Sequence, residues 1–373
     1  MQLDFTPDQD ELRENMRSVL SRECPMSYVR GVAEQGGDIT SLWDTISELG
    51  WTALTVPPDC GGIGLGAVEL AILAEELGRA IAPTPLLATV SQFLPALREL
   101  GAPRDWMEQI AAGSITGTLA IGEEVMSDDP AHVATTVEIR GDVATVRGTK
   151  RWVMDATTSK EMLVVARIEG TTGDDGVTAV VVPVASTVLA PVDSFDITRS
   201  FSTVALNDVT VDRSRVLGES GATTATAIRR AIEEATVAMA LEIVGTCQTI
   251  FDVTLAYAKE REQFGVPIGS FQAIKHKFAD MLIALERARA TGYLAALAIA
   301  EDDPRRHIAT SIAKAAAGDA QRLLCKEGIQ IHGGIGFTWE ADVHVYARRA
   351  KTDAALFGTA DVHRSRISAA LGM

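Results

Sequence analysis

The spacing of apolar residues changes period twice along this chain, and nothing else in the sequence limits its possible folds as strongly. From Thr6 to about Ala112 apolar positions recur at helical intervals. From about Gly117 to Leu217 they come in short β-branched runs, and from about Ala222 onward helical spacing returns in longer, alanine-rich stretches. Local signals agree with the zones. Thr6-Pro7 reads as a cap and first-turn proline for a helix over Gln9–Glu23, while Gly50 and Gly78 read as stops for helices over Ser41–Leu49 and Ala67–Leu77. Gly141-Asp142 lies between Thr136–Arg140 and Val143–Arg147 as a hairpin turn, and further strands are expected at Met162–Ile168, Val177–Val184 and Thr203–Val211. In the last zone Val237, Leu241, Val244, Cys247, Phe251 and Leu255 form one helical stripe; Gln272–Ala300, Ile308–Gly328 and Glu340–Lys351 follow as helices.

A chain of 373 residues exceeds one ordinary core. The pattern predicts a multi-domain α and β architecture: an N-terminal α-helical domain (1–115), a middle antiparallel β domain (116–218) and a C-terminal four-helix bundle (219–373). With 34 Lys plus Arg against 50 Asp plus Glu, the net charge is −16, which argues against a nucleic-acid partner. It also means that any anionic ligand must be held by a few well-placed groups. The start of the chain is acidic and no uncharged apolar run approaches the ~20 residues of a membrane span, so no membrane partner and a cytoplasmic location are expected. Cys24, Cys60, Cys247 and Cys325 have no metal-like spacing and read as buried reduced thiols; no metal site is expected.

Several strings carry a more specific signal. They are Glu48–Trp51 leading to Pro57–Gly62, then Glu75–Arg79, Tyr257–Gly265, Phe271–His276 and Gln330–Glu340. In this order and spacing they resemble the acyl-CoA dehydrogenase family of flavoproteins over essentially the whole chain. The variant Phe337–Glu340, followed by His344 and Arg348-Arg349, is similar to the actinobacterial branch acting on bulky acyl-CoA esters, steroid side chains among them.

The resemblance implies a reaction in which a carboxylate takes a proton from the carbon alpha to the thioester while hydride passes from the beta carbon to FAD. Such a base must be Glu or Asp in a desolvated site. At one family position for it, in the string Leu356–Thr359, this chain has Phe357; at the other, on the first helix of the bundle, it has Ala235. Neighbouring Glu233 and Glu234 are low-ranking substitutes. Adjacent helical residues diverge by about 100°, which turns Glu234 away from Ala235, and both read as solvated helix charges. Glu242 shares the face but stands about 10.5 Å along the axis.

In the middle domain, Gly122–Asp129 replaces the family's flavin-contacting string, with Ser127 recoverable by a one-residue gap. Trp152 matches a flavin-stacking tryptophan, although it could equally be core, and Met154 stands where a threonine is usual. Groups lent to a neighbouring subunit are kept: the resemblance assigns Arg261, Phe264, Gln272, Gln330, Gly333 and Gly334 to the diphosphate end of an FAD shared across a subunit interface. This asymmetry gives the expected function. The chain is a non-catalytic subunit of a heteromeric acyl-CoA dehydrogenase, an α₂β₂ heterotetramer with a homologous catalytic partner, passing electrons to an electron-transfer flavoprotein. Two alternatives stay open: a self-sufficient dehydrogenase using Glu233 or Glu234, and a non-enzymatic acyl-CoA-binding scaffold on the same fold.

Overall fold

The structure is a computed structural model describing residues 4–125 and 127–373; Met1–Leu3 and Met126, part of the string just discussed, lie outside the described residues. The first zone forms α1 (Pro7–Glu23), α2 (Met26–Gln35), α3 (Thr40–Glu48), α4 (Ala67–Ala80), the single turn α5 (Leu86–Ala88), α6 (Leu94–Glu99) and α7 (Arg104–Ala111). Thr6 caps α1 as expected. Its hydroxyl accepts from the Gln9 amide while the Gln9 side chain accepts from the Thr6 amide, which satisfies two free donors at the helix start.

The second zone is one eight-stranded sheet: β1 (Gly117–Ala120), β2 (Thr136–Arg140), β3 (Val143–Met154), β4 (Glu161–Ile168), β5 (Val177–Pro183), β6 (Val188–Pro191), β7 (Phe201–Asp212) and β8 (Val216–Leu217). Its order is β6-β7-β3-β2-β4-β5-β8, with β1 on β4. The expected all-antiparallel pairing is corrected here, because β4 pairs in parallel with both β1 and β2. The chain passes through a loop and short helical turn between β1 and β2, so neither is a hairpin neighbour of β4.

The third zone opens with α8 (Ala222–Glu260), then the short hairpin β9 (Glu262–Gln263) and β10 (Val266–Pro267), α9 (Gln272–Ala300), α10 (Arg306–His332), α11 (Val343–Asp353) and α12 (Ala360–Ala370). The last helix but one begins at Val343, three residues later than the apolar spacing indicated. Helices α8, α9, α10 and α11 form the bundle, and α12 lies against α10. By length and composition alone α8 could cross a membrane, but its apolar stretch is covered by α4, α9, α10 and α11.

Helices α4 and α8 cross at backbone contact. A Cβ on Gly78 would stand 2.1 Å from the Glu242 carbonyl oxygen, and one on Gly245 would stand 1.9 Å from that of Glu75. Gly78 is therefore not the helix stop its position indicated. It lies inside α4, and the chain leaves the helix at Ile81, whose φ is +43°.

Next to this crossing the second and third zones meet in a buried ionic junction. Arg199, between β6 and β7, binds Glu242 of α8 at 2.6 Å and Asp353 of α11 at 2.5 Å. Arg349 of α11 binds Glu242 at 2.9 Å and Asp196 at 3.0 Å, and donates to the Thr198 carbonyl at 2.7 Å. Asp155, which directly follows β3, is buried beside them, and burial pushes its carboxyl up to about 6 against the pull of Arg199 and Arg349. All four cysteines are buried and unpaired.

Two expectations follow. Gly245→Ala should cost at least about 2 kcal/mol, read as a fall in the thermal or urea midpoint, since the obstacle is a backbone carbonyl; a variant as stable as wild type would mean that the two helices separate freely. Asp155→Asn should stabilise the protein near neutrality. The folded pKa lies above the ordinary value of 3.8, so ionisation is penalised progressively as pH rises through about 6. Asparagine tolerates the positive φ of 52° found there and removes the penalty. The gain should be about 2 kcal/mol above pH 7 and vanish near pH 4, as checked by melting at both ends.

Candidate functional site

A β-bulge opens the site. The β3–β7 register shifts between Lys150 and Val153, so the intervening residues lose their ladder partners. Trp152, at φ +56°, is turned out of the sheet there. It is 43% exposed, not core, and meets Phe201 edge to face. It lines a cavity of about 440 Å³ between the sheet and the turn that follows α11. Leu119, Ile121, Met154 and Val362 make the cavity largely apolar, and the buried Gln92 reaches it from the turn between α5 and α6.

Phe357 enters this cavity from the α11–α12 turn at φ +54°. Ala235 is buried in α8 and is not part of the wall. The single carboxylate among the lining residues is Asp128, which is paired with Arg366 of α12. Neither Glu233 nor Glu234 reaches the cavity, and neither is solvated as the sequence reading had it. Glu234 is 6% exposed and turns toward the N-terminal helices, where Arg98 binds it at 2.5 Å. Glu233 binds Arg306 at 2.6 Å; burial nonetheless raises its carboxyl above the ordinary range. Both acids are spent on guanidiniums contributed by other helices. Glu242 is likewise committed to the junction.

The loop preceding β2 is held by charges that its sequence did not advertise. Glu123 accepts from the Ala134 and Thr135 amides at 2.6 and 2.9 Å and from the fully buried Lys150 at 2.7 Å. Burial pushes the Glu123 carboxyl up, but these donors outweigh it and hold it below the ordinary range; burial lowers Lys150 to about 8. Asp129 binds Arg229 of α8 at 2.7 Å, and Arg229 also takes Asp174 at 2.6 Å. Ser127 stands on the cavity wall, its hydroxyl bonded to His132 at 2.9 Å. Of these, Lys150 was detectable: it continues the inward alternation of Ala144 and Val146 along β3. Arg229 and Arg366 look like ordinary helix-surface charges in sequence.

The residues assigned to a neighbour's diphosphate all fall at one end of the bundle. Because α8, α9 and α10 run alternately up and down, the end of α8, the start of α9 and the end of α10 come together; Tyr257 stacks on His332 at 4.5 Å to fasten two of them. Arg261 caps α8, Gln272 opens α9, and Gln330 and Gly333-Gly334 finish α10. Arg261, Gln272 and Gln330 are exposed, and Arg261 forms no ion pair among the described residues. Phe264, at the tip of the β9–β10 hairpin, is 94% exposed. A Cβ on Gly334 would meet nothing within 4 Å, so packing inside this chain does not require glycine there, whereas Gly333 is favoured as glycine by its own backbone, at φ +67° where α10 ends. A free guanidinium beside open glycine backbone fits the diphosphate of FAD. The exposed indole of Trp152 beside the cavity is, among the described residues, the one feature there suited to a flavin ring, since Met154 offers no hydroxyl and Phe357 no carboxylate, so the ring-binding half fits less well than the diphosphate half.

Comparison with known proteins agrees with this architecture. Residues 6–114 match the acyl-CoA dehydrogenase N-terminal domain and residues 216–372 the acyl-CoA dehydrogenase C-terminal domain. Acyl-CoA dehydrogenase IpdE2 of Mycolicibacterium smegmatis is 30% identical, covering 95% of this chain and 96% of its own. Among solved structures, the ChsE4–ChsE5 complex from Mycobacterium tuberculosis superimposes with a TM-score of 0.88 at 25% identity, covering 100% of this chain and 99% of the other. The Tcur3481–Tcur3483 steroid ACAD does so at 0.87 and 28% identity, covering 98% of both.

Proposed function

The chain belongs to the acyl-CoA dehydrogenase family of FAD-dependent oxidoreductases, and on that premise we propose that it is the non-catalytic subunit of a heteromeric member. One observation carries the reading. By the resemblance Phe357 and Ala235 stand at the two base positions, and the nearby glutamates are tied up elsewhere, whereas Arg261 forms no ion pair among the described residues and lies exposed with Gly334 at the bundle end. A homologous partner would supply the carboxylate and the ring-binding half of an FAD site, and this chain the diphosphate-binding half, in a two-plus-two heterotetramer.

In that arrangement Arg261 offsets diphosphate charge, while Gln272, Gln330 and the Gly333-Gly334 backbone orient it; Phe264 packs alongside and excludes water. FAD, when bound, accepts hydride from the acyl chain. The reaction is alpha,beta-dehydrogenation of a bulky acyl-CoA, with a steroid side chain the favoured class given the steroid-acting and paired-chain neighbours. An electron-transfer flavoprotein would take the electrons. The three units 1–115, 116–218 and 219–373 and a cytoplasmic location belong to the same reading, the latter in keeping with four unpaired thiols.

The decisive preparation is the chain purified alone and with its homologous partner, with flavin absorbance and bleaching by acyl-CoA recorded for each. Colour and turnover are expected only in the pair; yellow, active protein from this chain alone would sink the proposal, and colourless protein in both would favour a scaffold. Within the pair, Arg261→Ala should weaken FAD retention about tenfold to a hundredfold, because it removes a charge-assisted contact of roughly 1.5–3 kcal/mol. Glu234→Gln should leave turnover within about twofold of wild type while lowering stability by roughly 1–3 kcal/mol through its contact with Arg98. Loss of turnover with stability intact would instead make Glu234 the base.

A further inference from the structure

The turn that presents Phe357 is built at unusual cost. Phe357 and Gly358 both have positive φ, +54° and +96°, and for a phenylalanine that conformation is strained. Behind the turn lie two polar side chains, Lys314 of α10 and His363 of α12, each 1% exposed. The Lys314 ammonium forms no ion pair among the described residues. It donates to the carbonyls of Ala354 at 3.1 Å and Gly358 at 2.9 Å, bracketing the phenylalanine. The carbonyl between them, that of Phe357, accepts from His363 Nε2 at 2.9 Å. Because a carbonyl only accepts, His363 carries its proton on Nε2, and its bare Nδ1 takes the Ser311 hydroxyl at 3.2 Å. Burial, with Lys314 and Arg366 adding to it, pushes His363 down to about 4, so the ring is neutral at working pH.

An ammonium taken out of water without a carboxylate partner is strongly disfavoured, and a strained phenylalanine adds to that. A turn with no ligand to shape would be cheaper with an apolar residue at 314 and a glycine at 357. We infer that Lys314 and His363 are positioning residues for Phe357: from outside the cavity they fix residues 354–358 and make the ring a rigid wall against which an apolar acyl chain is seated in this subunit. The seating of a ligand rests on the acyl-CoA substrate class proposed above and adds to it an acyl contact in this subunit. The fixing of the turn does not.

The groups facing Lys314 are Asp353 of α11, Asp128 of the loop before β2, and Arg366 of α12; burial is the largest influence and brings the ammonium down to about 7. Above that pH the neutral amine keeps donors but loses charge assistance, which roughly halves the strength of each bond. Amide hydrogen exchange of the purified chain on either side of about pH 7, corrected for intrinsic rates, reads this directly over residues 354–359. Protection should fall about threefold to tenfold on the alkaline side in wild type, while Lys314→Gln should exchange fast and show no pH step. Protection that is flat across pH in wild type overturns the assignment, and the wild-type series decides even if the variant does not fold. Octanoyl-CoA titrated into the same samples separates the two layers. Affinity that follows the pH step in wild type and is flat in Lys314→Gln supports the seated ligand. A protected turn with no octanoyl-CoA binding at any pH would remove the acyl seat and leave Lys314 as the holder of the turn.

Discussion

Glu242 is the point through which the three zones of this chain are held together. Its side chain receives two guanidiniums, Arg199 from the sheet zone and Arg349 from α11, and its backbone carbonyl lies against Gly78 of the N-terminal helices. A buried carboxylate so placed is a liability unless both cations arrive, and removing one partner from such a pair commonly costs about 3–5 kcal/mol. The position of the cavity follows from it. The sheet carrying Trp152 and the turn carrying Phe357 belong to different zones, and they face one another because the junction fixes β7, α8 and α11 in one arrangement.

The zones themselves were plain in the sequence because period is a local property. Short β-branched runs and a helical stripe each report on a few consecutive residues, and Thr6-Pro7 marked the first helix start, to which the structure adds the reciprocal bond with Gln9. What failed was information about the neighbour. A glycine near the end of an apolar helical run reads as a stop, but Gly78 is there because another helix's carbonyl stands 2.1 Å from where its Cβ would be. Glu233 and Glu234 looked solvated because acids on helices usually are, and the arginines that bury them lie on α10 and α6, distant in sequence.

The candidate site was legible in a similar, partial way. What can be compared is placement: of the residues marked by their strings, Phe357 lies in the cavity, Ala235 does not, and Arg261, Gln272, Gln330 and the glycines come together at the bundle end. The wall of the cavity was not legible. Trp152 gave no sign of whether it was core, because a bulge decides that, and the bulge depends on how β3 meets β7. Lys314 was invisible for the opposite reason: a lysine among alanines on a helix looks like a solvated charge, and only packing shows it enclosed beneath the Phe357 turn.

The crossing of α4 and α8 constrains what descendants of this sequence can become. Where two side chains pack, a larger residue on one helix can be answered by a smaller one on the other, so the contact can drift as a pair. Gly78 and Gly245 admit no such exchange, because each faces a peptide carbonyl, which is the same for every residue type. No second substitution restores the space lost to a first. Side chains around the cavity face other side chains and can be exchanged in pairs, while this contact stays fixed, so the framework and the chemistry it carries are free to diverge at very different rates.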